Sequence, residues 1–128
     1  MKHPTIRIDT TPFAGLDRLS RHLGYHARRQ QTIAANLANI DTPGYRSKDL
    51  SFQESFVTHA GRPDPVRTVS HSEEVLTLDD EVPDQDGNSV SLEHQMARSV
   101  ANTLRFSALS EIISRNLGML KYAARDGS

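Results

Sequence analysis

His22 and His26 stand one helical turn apart, the spacing at which two imidazoles can share a metal ion. A zinc site ordinarily takes four ligands, and the chain offers no cysteine and no matching histidine pair, so no metal and no cofactor are expected. Six histidines invite a Ser/His/Asp triad on paper, but there is no GxSxG and no strand-borne nucleophile turn, and no catalytic residue is assigned. Glu73 with Glu74, and Asp79, Asp80 and Glu81, could act as acid/base pairs or calcium ligands. The run DDEVPDQDG does not keep the spacing of a calcium loop, and a solvated acidic loop is the expectation. Arg28 and Arg29 could touch phosphates, yet neither a helix-turn-helix pair nor an aromatic stacking platform accompanies them. The chain reads as a protein without enzymatic chemistry.

The most informative stretch is ANLANIDTPGYRSKDLSF, residues 35–52. Thr42 precedes a proline and is pushed to extended geometry, Pro43 presets the first corner of a turn, and Gly44 supplies the positive φ of a type II second corner. Such a turn stops a helix near Asn39 and redirects the chain. Buried amides can bond two backbones at once, which suits Asn36 and Asn39 to fixing register between helices.

The elements that carry these residues follow from periodicity. Leu19, Leu23, His26, Gln30, Ile33, Leu37 and Ile40 recur at steps of four and three, predicting a helix from about Leu16 to Asn39. Leu92, Met96, Ser99, Thr103, Phe106, Ser110, Ile113, Leu117 and Leu120 do the same, predicting a second helix over about Leu92 to Ala124. Ser91 is its candidate N-cap, Glu93 suits its first turn, and Arg115, Lys121 and Arg125 suit its C-terminal end. Between the helices VRTVS (66–70) and EVLTLD (74–79) alternate as two short strands, while Phe52 and Phe56 at helical spacing suggest one helical turn. The fold class is mainly α: two long terminal helices packing as a coiled-coil-like pair, joined by an irregular segment with at most short β elements. The organisation is an N-terminal tail (1–15), an assembly helix (16–40), a turn and acidic connecting segment (41–90), a second assembly helix (91–124) and a short tail (125–128).

Composition says how these helices must be used. At 128 residues, with 36% hydrophobic and 5% aromatic residues, the chain is one domain with little material for a private core. No apolar run approaches the roughly 20 residues of a membrane span, and the N-terminus lacks the apolar core of a cleavable signal peptide. Charge is uneven: residues 1–48 carry eight Lys/Arg against three acids, and residues 49–93 carry two against eleven. That asymmetry suggests inter-subunit salt bridges from Arg28 and Arg29 to the acidic segment. Two helices bury too little area to offset about 1–2 kcal/mol of backbone entropy per residue, so packing of Met96, Phe106 and the aliphatic stripe is expected to be shared between chains, with the termini ordering on assembly.

The ANLANIDTPGYRSKDLSF stretch resembles the N-terminal signature of the bacterial flagellar rod and hook axial proteins, in which a helix ending in an ANxAN-like run meets a TPGY turn. The C-terminal run DGNSVSLEHQMARSVANTLRFSALSEIISRNLGML is similar to the basal-body rod proteins of that family. The resemblance implies a structural, self-assembling subunit of the proximal rod that transmits torque for motility by helix packing. It implies, as partners, other copies of the chain, the remaining proximal rod proteins, the adaptor FliE and the basal export gate and ring. It implies type III export without a cleaved signal to the periplasmic side of the inner membrane, and Asn36, Asn39, Thr42, Pro43, Gly44 and Tyr45 as assembly positions. The alternatives are another proximal rod protein of the same family or, from a different class, a small helical nucleic-acid-binding regulator using the basic first helix.

Overall fold

A computed structural model describes residues 12–58, 67–78 and 90–126. The element order is α1 (Pro12–Ala38), β1 (Lys48–Thr58), β2 (Arg67–Thr77) and α2 (Leu92–Asp126). The chain is mainly α, as its two periodic stripes require. Helix α1 begins at Pro12, four residues before the sequence-predicted start, because proline needs no amide partner at the first helical position. Helix α2 begins one residue after Ser91, whose Oγ accepts from the His94 amide at 3.3 Å and whose carbonyl accepts from the Gln95 amide at 3.0 Å, as an N-cap does. The 27 and 35 residues of the two helices correspond to about 40 and 52 Å.

The connecting segment holds more β structure than two short strands. Lys48–Thr58 and Arg67–Thr77 pair antiparallel over eleven positions, from Lys48 opposite Thr77 to Thr58 opposite Arg67. Glu73 and Glu74 interrupt the alternation and split the sequence signal, yet β2 runs through them. Phe52 and Phe56 lie in β1, so the helical turn read from their spacing is corrected: the four-residue interval also fits two same-face strand positions. The tail residues 1–11, the Asp79 to Glu81 cluster and the turn at Asp86 to Asn88 lie outside the described residues.

The interior is small and largely polar. Among the described residues the buried apolar side chains are Ile33, Leu50 and Val90, whereas His26, Asn36, Ser47, Gln95 and Asn102 are buried polar ones. Helix α1 lies against α2 in antiparallel fashion, since Asn36 meets Gln95, Gln30 meets Ser99, and His26 meets Asn102. Farther along the same faces the half-buried Leu16, Leu19 and Leu23 of α1 and Leu109, Ile113 and Leu120 of α2 extend the seam with apolar groups. The hairpin packs on α1, with Leu50, Phe52 and Glu54 turned towards the helix.

Candidate assembly interface

The turn that ends α1 is built from the residues the motif singled out. The Asn39 side chain donates to the Ala35 carbonyl at 2.8 Å, which also accepts the Asn39 amide at 3.2 Å, and it accepts from Thr42 Oγ1 at 3.2 Å, tying the helix end to the turn. Thr42 donates its amide to the Asn39 carbonyl, and Tyr45 donates its own to the Thr42 carbonyl at 3.1 Å, so two turns follow one another. Pro43 and Gly44 are the corners of the second, and Gly44 has φ +72°, the left-handed value its second corner needs. Thr42, Pro43 and Gly44 are exposed, which leaves this corner open to a neighbour.

Asn36, fully buried, ties three elements together. Its Nδ2 donates to the Lys48 carbonyl at 2.7 Å and to Gln95 Oε1 at 3.0 Å, while its Oδ1 accepts from the Lys48 amide at 2.9 Å and from the Tyr45 hydroxyl at 3.3 Å. Helix α1, the base of β1 and α2 thus share one side chain. A second amide joins the two helices six to ten residues back along α1: Asn102 Nδ2 donates to the His26 carbonyl at 2.8 Å and to Gln30 Oε1 at 2.9 Å, and its Oδ1 lies 2.7 Å from His26 Nδ1. Sequence reasoning missed Gln95 and Asn102. Their seven-residue separation on the face opposite His26, Gln30 and Asn36 was the available signal.

The two arginines expected to bind a neighbour's acids meet acids of their own chain. Arg28 makes a two-point pair with Glu73, and Arg29 donates to both oxygens of Asp49 at 2.7 and 2.6 Å. Within the single chain the hairpin folds back on α1 and brings Glu73 and Asp49 within their reach. A third clasp joins Arg18 to Glu54, which also contacts His22 Nε2 at 3.0 Å. Burial pushes the Asp49 carboxyl up, but the Arg29 hydrogen bond, the Leu50 amide and nearby positive charge outweigh it and hold it below the ordinary value. The hydrogen bonds from Arg18 and Arg28 lower Glu54 and Glu73 in the same direction.

One line of the surface that α2 turns outward is apolar. Leu92, Met96, Val100 and Leu104 follow at steps of four and are 53 to 66% exposed, and Phe106 is exposed beside them. Leu92, Met96 and Thr103, expected on the inward stripe, are therefore on the outside; Gln95, Ser99 and Asn102 take the seam because they answer the polar groups of α1. Met96 and Phe106 are surface groups in the single chain. The apolar helix end beyond them, with Leu117, Met119 and Tyr122, is exposed as well. Among the described residues no group of three or more metal-ligating side chains forms, and no helix is long and apolar enough to cross a membrane.

Comparison with known proteins identifies the setting. The profile of the family described as "Flagella basal body rod protein" matches residues 26–46, from His26 through the turn. The flagellar basal body rod protein FlgB of Salmonella typhimurium is 33% identical over 116 residues, covering 77% of this chain and 84% of the relative. The chain belongs to the FlgB family of flagellar basal body rod proteins. The FlgB proteins of Escherichia coli and Bacillus subtilis, 32 and 29% identical, cover the same shares. As an FlgB-family member the chain is a structural subunit of the bacterial flagellar basal body rod and not an enzyme, and it assembles with other rod components. The nucleic-acid alternative is not favoured. The stretch matched by the family profile contains Arg28, Arg29, Asn36, Asn39, Thr42, Pro43, Gly44 and Tyr45, while Met96 and Phe106 lie on α2, outside it.

Proposed function

We propose that the chain assembles into the proximal part of the rod by burying the outward stripe of α2 against neighbouring subunits, and that torque passes through these seams. The observation that carries this reading is the exposure of Leu92, Met96, Val100 and Leu104 on one line of α2, which meets α1 through the polar Gln95, Ser99 and Asn102. These four side chains are more than half exposed, and covering what remains exposed contributes about 1–2 kcal/mol each. The Thr42 to Tyr45 corner and Asn39 border a second contact, where the chain leaves α1 for the hairpin. Neighbours in this reading are other copies, the remaining proximal rod proteins, the adaptor FliE and the export gate and ring at the base. Export follows the flagellar type III route without a cleaved signal, to the periplasmic side of the inner membrane.

The experiment is replacement of Met96 and Val100 by Glu in the full chain. Both positions are exposed, so the isolated variant should keep the helix content and melting temperature of the parent while losing incorporation into basal bodies and swimming. Normal incorporation of a folded variant would refute the stripe as the assembly surface.

A further inference from the structure

We propose that the β1–β2 hairpin is a latched arm, pivoting at Asn36 and held against α1 by arginine–carboxylate clasps whose outer members salt or a competing charge can open. The pivot is dry and firmly bonded. Asn36 holds both the amide and the carbonyl of Lys48, and the Leu78 amide donates to the Ser47 carbonyl at 2.9 Å, closing the hairpin base. Beside the pivot, Arg29 and Asp49 are each only 16% exposed, and the Tyr25 hydroxyl donates to the Leu50 carbonyl at 2.7 Å.

The two outer clasps join Arg28 to Glu73 and Arg18 to Glu54, through arginines more exposed than Arg29. Glu54 lies six residues beyond Lys48, about 20 Å along the strand. Arg18 reaches it with Nε at 3.1 Å and Nη2 at 2.5 Å, and His22 and His71 flank it. The Arg18 and Arg28 side chains are 56 and 52% exposed, against 14 and 27% for Glu54 and Glu73, so water and ions reach these two pairs from the arginine side. Phe52 supplies the ring packing, with centroids 4.6 Å from His22 and 5.3 Å from Tyr25. Charges exposed to solvent lose their attraction as the screening length falls from about 10 Å at 0.1 M salt to about 3 Å at 1 M. The eleven-position ladder between β1 and β2 does not depend on those pairs, so the arm leaves as one body. Its departure frees Arg18 and Arg28 together with Glu54 and Glu73, two charges of each sign on facing surfaces.

The chain contains no cysteine, so spin labels can be placed at will. Gln53 on β1 and Ser107 on α2 are exposed, and the pair Gln53→Cys with Ser107→Cys reports the hairpin position by pulsed electron resonance on the full chain. One narrow distance is expected at about 20 mM salt, and a second, longer population at about 1 M salt or after Arg18→Glu with Arg28→Glu. Adding Glu54→Arg and Glu73→Arg to that double variant should restore the single distance, with amide protection across the ladder retained throughout. An unchanged distribution at high salt and in the double variant would show that Phe52 packing and the contacts at the pivot hold the arm without the outer clasps, and would overturn the proposal. A second population already at low salt, or loss of ladder protection, would overturn it equally. The measurement is made on the isolated subunit, so its failure would leave the assembly reading untouched.

Discussion

Asn36 Nδ2 donates to Gln95 Oε1 at 3.0 Å, and neither residue has measurable contact with solvent. A buried amide pair between two helices adds little net stability but penalises any other register, because a slip leaves both groups without partners. Replacing Asn36 by Ala removes the partner of Gln95 and of both Lys48 backbone groups. The expected loss is at least about 1–3 kcal/mol, the cost of leaving a buried polar group unpaired. Adding Gln95→Leu to Asn36→Ala should recover part of that loss in a urea titration, because the orphaned amide is removed with it. A double variant less stable than Asn36→Ala alone would show that the pair does not act as a unit.

Gly44 is the one described glycine at positive φ, at +72°. A side chain there has open space around it, so the cost of substitution comes from the backbone and not from a clash. An ordinary L-residue loses roughly 1–2 kcal/mol in this conformation, and a β-branched one is worse placed than Asn, which tolerates it. Gly44→Val should lower the melting temperature and abolish rod incorporation and motility, whereas Gly44→Asn should keep both near the parent. Equal behaviour of the two variants would separate the turn's conformation from its function.

Asp49, Glu54 and Glu73 all have folded-state values below the ordinary carboxylate range. A depressed carboxylate contributes stability that is complete above its unfolded value and is lost as pH falls through the folded one. With unfolded values near about 4, the hairpin clasps should hold at neutral pH and fail progressively below about pH 4. The urea midpoint should therefore drop on acidification, and the combined Asp49→Asn, Glu54→Gln and Glu73→Gln variant should be weaker at pH 7 with a flatter acid limb. A parallel acid limb in that variant would assign the pH dependence to other groups.

The helices were legible because apolar residues recur at helical steps, and the turn because Thr-Pro-Gly has few other uses. The facing of α2 was not. Assigning the interior to the more apolar side of a helix is sound when a chain buries its own core, and here it put Met96 and Leu92 inside and passed over Gln95 and Asn102. His26, Gln30 and Ser99 are polar members of two otherwise apolar stripes; Gln30 pairs with Ser99, and both Gln30 and His26 pair with Asn102. Pairing across 69 to 76 residues of sequence cannot be seen in either helix alone. The hairpin was hidden for a local reason: Leu50, Phe52 and Phe56 alternate, but Glu54 between them breaks the apolar pattern, and its role is to meet Arg18.

The clasp between Arg28 and Glu73 lies within one chain, which makes a test available that an inter-subunit pair would fail. Reversing one charge, as in Arg28→Glu, sets two carboxylates against each other across the α1–β2 contact and should weaken hairpin docking and incorporation into basal bodies. Reversing both, Arg28→Glu with Glu73→Arg in the same chain, restores an opposite pair at the same position and should recover incorporation. Supplying the two single variants as separate chains in one cell should not, because neither hairpin can reach its own helix with the correct charge. If the pair joined neighbouring subunits, the mixed cells would assemble through alternating chains. Swimming and basal-body yield in the three strains distinguish these cases, with recovery in the mixed strain as the result that would return Arg28 to a neighbour's surface.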